Sequence, residues 1–304
     1  MNGSCVVHRA SWVVARGSRV AISAMVLALL AHWPTGRLAA QERTIPLDRD
    51  GFVRVFNRVG TIHVVGWGVD SVRWNAQLAP GQELYGGGNQ QMAKLGVSGP
   101  DGVARLEVRV PAGAKLVIDA GESTVDVVGV TGAVEIRGGG GAVHVAGTPV
   151  RLTIETVDGP VDITGGPHRS VDVRTAGGAI DITGAREELS VSSISGDVTI
   201  TADSITRGRI ISVTGTVRLV GSVDRTGTLT AESHGGDLEL ALSTRPGFDV
   251  VATAIGGTIV NTLSKTSPRP VRDGRGSLLE AVVGDGGGTV TVTAFKGTIR
   301  LTRR

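Results

Sequence analysis

Seven outward residues at one fixed spacing are the first place to look for chemistry. Asp126, His144, Asp162, Asp181, Thr199, Arg218 and Glu239 each stand three residues after a bend in a repeating phrase. If copies of the phrase stack, these side chains form one column, with Asp126, His144, Asp162 and Asp181 adjacent. Carboxylate oxygens and imidazole nitrogens are divalent-cation ligands. Stacked strands stand about 4.8 Å apart, which is long for ligands converging from one flat face. The same acids serve as a solvated face that keeps an edge-rich protein soluble. The sequence assigns no metal ligand here.

Other chemistries find less support. The histidines after residue 40 are His63, His144, His168 and His234, in separate repeats and, on this reading, at differing offsets from their bends. No Cys/His cluster, no H-E-x-x-H and no G-x-S-x-G occurs. Gly86–Gly88, Gly138–Gly141 and Gly286–Gly288 lack the Lys-Ser/Thr and helix of a phosphate loop, and read as turns. Gly284-Asp285-Gly286 has the rhythm of a calcium-binding repeat once only. Trp67, Trp74 and Tyr85 all lie in the first segment, where they suit either a small aromatic platform or packing of a cap. No catalytic, cofactor-binding or metal residue is assigned, and no cofactor is expected.

The elements that must position these residues are clearest from Leu152 to Gly184. Leu152, Ile154, Val161 and Ile163 alternate with polar residues, and Val171, Val173, Ile180 and Ile182 repeat the pattern. Period two is a strand with one buried face. A glycine separates each pair of half-runs, so one repeat is two short strands and a bend. The bends fall at Ser123, Gly141, Gly159, Gly178, Gly196, Gly215, Gly236 and Gly257, at spacings of 18 to 21 residues, with Gly297 a further 40 on. Hydroxyls stand three before the bend in five copies, Thr156, Thr175, Ser193, Ser212 and Ser233. Parity turns them inward, where they can satisfy the backbone of the turn.

A fixed period of this size marks a repeat architecture. One coil buries too few aliphatic side chains to offset its backbone entropy, so the copies must stack. The expected fold class is all-β: a parallel β-solenoid of about 18–21-residue coils with a small N-terminal β cap. Eight to ten rungs would make a rod of roughly 40–50 Å. The expected domains are a signal peptide over 1–40, an N-terminal β segment and cap over 41–111, and the solenoid over 112–304. Within the cap, Gly81 to Gly102 reads as an aperiodic loop. Thr262 to Gly288 breaks the register and reads as an excursion packed across the last coils. Open strand edges at both ends of the rod must be covered.

Composition sets the address. Arg9, Arg16 and Arg19 precede an apolar run from Val20 to Ala31, and Leu38-Ala39-Ala40 offers a small-residue cleavage site. That run is too short to span a membrane. Without residues 1–40 the chain has 27 basic and 28 acidic residues, so the basic pI gives no warrant for nucleic-acid binding. The single cysteine, Cys5, lies in the segment to be removed.

The G-x-V-x-I-x-G rhythm, behind an export signal and a leading V-x-V-x-N-x-x-G-x-I-x-V-x-G-W block at Val53 to Trp67, resembles the bacterial putative-adhesin family. That is a family of unknown function with β-solenoids on exported proteins. The resemblance covers about Val53 to the C-terminus. It implies a periplasmic or cell-surface location and supplies no catalytic residues. The expected function is non-enzymatic: an adhesin-like or structural envelope protein presenting a repetitive face to a polysaccharide or surface protein. The alternatives are a polysaccharide lyase or hydrolase on a β-helix, and a self-assembling envelope filament protein. Nucleic acid is not an expected partner.

Overall fold

Alternating residues stack as expected. In this computed structural model, which describes residues 42–271 and 275–304, Leu152 pairs in parallel with Val134 on one side and Val171 on the other. On the second face Val161 lies between Val143 and Ile180. All are at most 2 % exposed, and their aliphatic counterparts on other rungs are likewise buried in a continuous core. A short return closes each coil, with Ala185, Ala202 and Val223 buried on it. The described residues form an all-β parallel solenoid. The signal-peptide expectation falls on residues outside those described.

The bend is glycine for a steric reason. A Cβ on Gly159, Gly178 or Gly196 would lie 2.3, 2.1 or 2.2 Å from the bend carbonyl oxygen of the preceding rung. These glycines also adopt φ of +100°, +88° and +108°, which side chains disfavour. The column is therefore backbone on backbone. The hydroxyls three residues earlier do turn inward. Ser212 Oγ donates to the Gly215 carbonyl at 2.9 Å and Ser233 Oγ to that of Gly236 at 2.7 Å, while Thr156, Thr175 and Ser193 donate to the carbonyls of Asp158, Gly177 and Ser195, one residue before their bends. In the aliphatic column that runs through Leu189 and Leu229, Gly208 stands between those two, and the side chains of Leu229 and Ile205 fill the space a Cβ would take.

At both ends the stacking order departs from the chain order. Phe52–Trp67 pairs in register with Lys115–Val128, so it is a rung of the stack, not part of a separate cap. On its other side lie Met92–Ser98 and Ala104–Pro111, which form the outermost rung. The chain thus lays one rung, overshoots, and comes back to the first. The far end does the same. Val223–Ser233 and Leu238–Leu242 pair with Gly288–Ala294 and Thr298–Arg303, and only beyond these come Phe248–Ala254 and Thr258–Asn261. Gly297 therefore follows Gly236 in the bend column, and Gly257 comes last. The column reads Ala104, Gly60, Ser123, Gly141, Gly159, Gly178, Gly196, Gly215, Gly236, Gly297, Gly257, eleven rungs where eight to ten were expected.

Antiparallel strands close most of the outer edges, Thr258–Asn261 having only its parallel partner among the described strands. Ser277–Val283, inside the expected excursion, pairs antiparallel with Phe248–Ala254. At the other end Ser71–Gln77 pairs with Ala104–Pro111, and Arg43–Pro46 with Ser71–Gln77. The segment Gly81–Gly102 is not a loop. Glu83–Gly88 and Met92–Ser98 form a hairpin whose second strand joins the stack. Ala93, Leu95 and Val97 are buried there, but the alternation is short and flanked by glycines, which hid it.

Candidate binding surface

The outward column forms, and it is longer than the repeat spacing predicted. Glu107, His63, Asp126, His144, Asp162, Asp181, Thr199, Arg218, Glu239 and Arg300 occupy successive rungs. His63 joins because its rung stacks beside Asp126. Its offset from Gly60 equals that of His144 from Gly141, contrary to the expectation that the histidines differ. His63 Nδ1 lies 2.8 Å from Asp126 Oδ2, and His144 Nδ1 lies 2.9 Å from Asp162 Oδ2. Farther along, Arg218 donates to Glu239 at 2.9 Å and Arg300 reaches Glu239 at 3.0 Å.

This is a ladder of polar groups, several of them paired side chain to side chain between rungs. Each imidazole is matched to one carboxylate on the next rung, and its other column neighbour is again an acid. A Ser–His–Asp arrangement needs a hydroxyl in that place. Among the described residues, no group of three or more His, Cys, Asp or Glu could hold a metal ion. Arg300 also bonds Asp237 at 2.9 Å, and the Thr298 N–H donates to the same carboxylate. These partners, the Thr298 N–H first, hold the Asp237 carboxyl below its ordinary range. They tie the returning C-terminal rung to its neighbour.

The other histidines and aromatics are dispersed. His168 is fully buried on a return, in the place Ala185 takes one rung later. Neither ring nitrogen makes a hydrogen bond of normal geometry, and burial pushes its pKa down, opposed by the backbone of Thr164. Trp74 is 1 % exposed and packs beneath Gly86 in the N-terminal closure. Trp67 donates to the Ser71 carbonyl at 2.8 Å and lies under Arg73 and Arg109. Burial raises the pKa of Tyr85.

The distinctive surface lies at the bend corner. Two residues before each bend stand Val157, Ala176, Ile194, Val213, His234, Phe295 and Ile255, on seven successive rungs. Their backbones continue the ladder around the corner: Gly177 N–H donates to Val157 O, Thr214 to Ile194 O, Lys296 to His234 O and Gly256 to Phe295 O. The side chains have nowhere to go but outward. Val157 is 62 % exposed, Ile194 57 %, Ile255 44 % and Phe295 42 %. His234 and Phe295 stack with centroids 4.3 Å apart. The ridge is roughly 30 Å long at strand spacing. It ends where Gly139 and Gly121 take the same position, leaving a hollow of about 730 Å³ bounded by Arg58, Asp101, Glu122 and Val157. The pattern was present in the sequence two places before each bend, but only stacking turns scattered apolar corner residues into one strip.

A family model, Toastrack DUF4097, matches residues 104–250. The expected resemblance to a β-solenoid family of unknown function is thereby shown for that segment, which is shorter than the span from Val53. The match leaves out the two rungs, at Phe52–Trp67 and Gly288–Arg303, that the chain lays down out of order. No curated protein matches the sequence. Among solved structures, the chain is similar to a putative cell adhesion protein from Clostridium sporogenes, at 9 % identity and TM-score 0.26, covering 87 % of this chain and 100 % of that one. It is also similar to a putative adhesin from Parabacteroides merdae, at 12 % identity and TM-score 0.27, covering 87 % and 96 %. Scores at that level carry no argument about function.

Proposed function

We propose that this chain is a non-enzymatic, adhesin-like envelope protein that docks through its corner ridge onto a surface polysaccharide or surface protein. The observation that carries the reading is the ridge itself. A soluble protein gains nothing from exposing aliphatic side chains on rung after rung, and contiguous apolar strips of this kind mark interaction sites. The stacked His234–Phe295 pair adds a flat face at one end, suited to the apolar side of a sugar ring. Export by a signal segment over 1–40, with 41–304 as the mature chain, goes with this reading. Among the described residues no helix is long and apolar enough to cross a membrane.

Co-sedimentation of the mature chain with washed envelope from its own source tests the proposal. Retention is expected without release of sugar. The double variant Ile194→Asp, Val213→Asp places charges on the ridge without touching the core, and retention should fall at least tenfold. Oligosaccharide release by the unmodified chain would overturn the proposal in favour of a lyase or hydrolase. Undiminished retention of the ridge variant would remove the ridge from it.

A further inference from the structure

The overshoot and return at the C-terminal end create a second site, chemically unlike the ridge. Three returns that are distant in sequence come together there: Thr244–Gly247, Leu263–Thr266 and the chain end at Arg303. With the turn Val282–Gly286 they enclose a cleft of about 790 Å³. That volume is within the range of ordinary ligand pockets. Arg225, Arg245, Lys265 and Arg303 line it, and Asp285 is the one acid in the lining.

On the flat faces many arginines are matched, Arg54 to Asp119, Arg174 to Glu155 and Asp172, and Arg218 to Glu239, whereas single strand arginines such as Arg105 and Arg209 are not. Around the cleft, none of the four basic side chains has an ion-pair partner among the described residues. The turns that carry them are nevertheless held. Asn261 Nδ2 donates to the carbonyls of Ser264 and Thr266 at 3.3 and 2.8 Å, and Asn261 Oδ1 accepts from Leu263 N–H, which sets the turn bearing Lys265. Ser243 Oγ donates to the Arg245 carbonyl at 2.8 Å. Gly247 lets the turn at Asp285 and Gly286 approach closely, since a Cβ there would lie 2.6 Å from Asp285 N.

We infer that this cleft binds a segment of an anionic polysaccharide, one whose sugars bear carboxylates or phosphates. Unmatched guanidinium and ammonium groups are recognition groups for such oxyanions. The Ser, Thr and Gly residues between them suit hydroxyl-rich ligands. A bilayer surface is a poor fit because the charges line a concavity. Nucleic acid is a poor fit because the lining holds no aromatic face for a base. The inference stands apart from the ridge: either can fail without the other.

The test is binding of the mature chain to immobilised polygalacturonate and to phosphorylated mannan, with neutral dextran as control. Retention on one or both charged polymers is expected, weakening as salt is raised. The double variant Lys265→Glu, Arg303→Glu alters exposed side chains only, and unchanged melting would show that it folds. Its affinity should fall at least tenfold. Arg218→Ala, on the outward ladder, should bind as the unmodified chain does. The carboxylate and phosphate arms say which anion is preferred. Retention no better than on dextran, or equal binding by the charge-reversed variant, would overturn the inference. Equally tight binding of duplex DNA or phosphatidylglycerol vesicles through the same two residues would overturn its assignment to polysaccharide.

Discussion

The middle of the solenoid and its two ends are made from the same phrase but held together differently. From Lys115 to Leu242 each rung rests on its neighbour in sequence, and the bend glycines fix the register by leaving no room for anything else. At the ends the neighbour in space is not the neighbour in sequence. The first rung, Phe52–Trp67, is trapped between a later hairpin strand and Lys115–Val128. The last, Gly288–Arg303, is inserted beneath Phe248–Asn261. A simple stack would leave its first and last rungs attached on one side only, free to fray or to recruit another chain. Overshooting and returning gives both chain-terminal rungs two partners. It leaves the outermost positions to segments most of which, Met92–Ser98, Ala104–Pro111 and Phe248–Ala254, carry antiparallel cover.

The comparison is broken most directly at the bend column. Gly178→Ala in the middle should cost about 3 kcal/mol or more, because the added Cβ meets the Gly159 carbonyl at 2.1 Å and φ is +88°. Gly257→Ala meets the Gly297 carbonyl at 1.8 Å, but its rung is the outermost and can shift away. Urea unfolding should show the smaller loss for Gly257→Ala. Equal losses would mean the ends are as rigid as the middle. Gly87→Ala, with nothing within 4 Å, is the neutral reference.

A second test aims at the cover. Leu279 is fully buried in the strand that pairs with Phe248–Ala254. Leu279→Asp should cost about 3 kcal/mol from lost burial and a buried charge. It should also release an open edge, read as concentration-dependent self-association in sedimentation velocity. A destabilised but monodisperse variant would show that edge protection lies elsewhere.

His168 sharpens the picture inside the stack through pH. Its folded-state pKa is lowered, so the stability it permits is full above the unfolded value of about 6.5 and is lost as pH falls below it. The melting temperature should therefore drop on acidification from pH 7 to pH 5. His168→Leu should remove that part of the drop while remaining folded. An unchanged drop would place the acid sensitivity in other groups.

The smallest effect belongs to the outward ladder. Arg218 and Glu239 are about half and one-third exposed. Arg218→Ala should change stability by no more than about 1 kcal/mol, less in high salt. A larger loss in thermal melts would make the ladder a structural strut.

The alternation of Leu152, Ile154, Val161 and Ile163 determined the buried faces, because period two allows one inward set. The spacing of Gly159, Gly178 and Gly196 determined where coils turn, because only glycine tolerates the neighbouring carbonyl. Thr156, Thr175, Ser193, Ser212 and Ser233 were legible as corner groups by parity alone. Rung order at the ends was not legible. Gly257 and Gly297 carry the same local signal, and which lies next to Gly236 depends on which arrangement leaves fewer open edges. For the same reason His63 was not seen beside Asp126, whereas Ala93, Leu95 and Val97 were not seen as a strand because their alternation is short and flanked by glycines. The ridge from Val157 to Ile255 and the cleft around Arg245, Lys265 and Arg303 exist only through such stacking. Local sequence sets the conformation of each coil, while burial of edges, which only the assembled chain possesses, decides which coils meet.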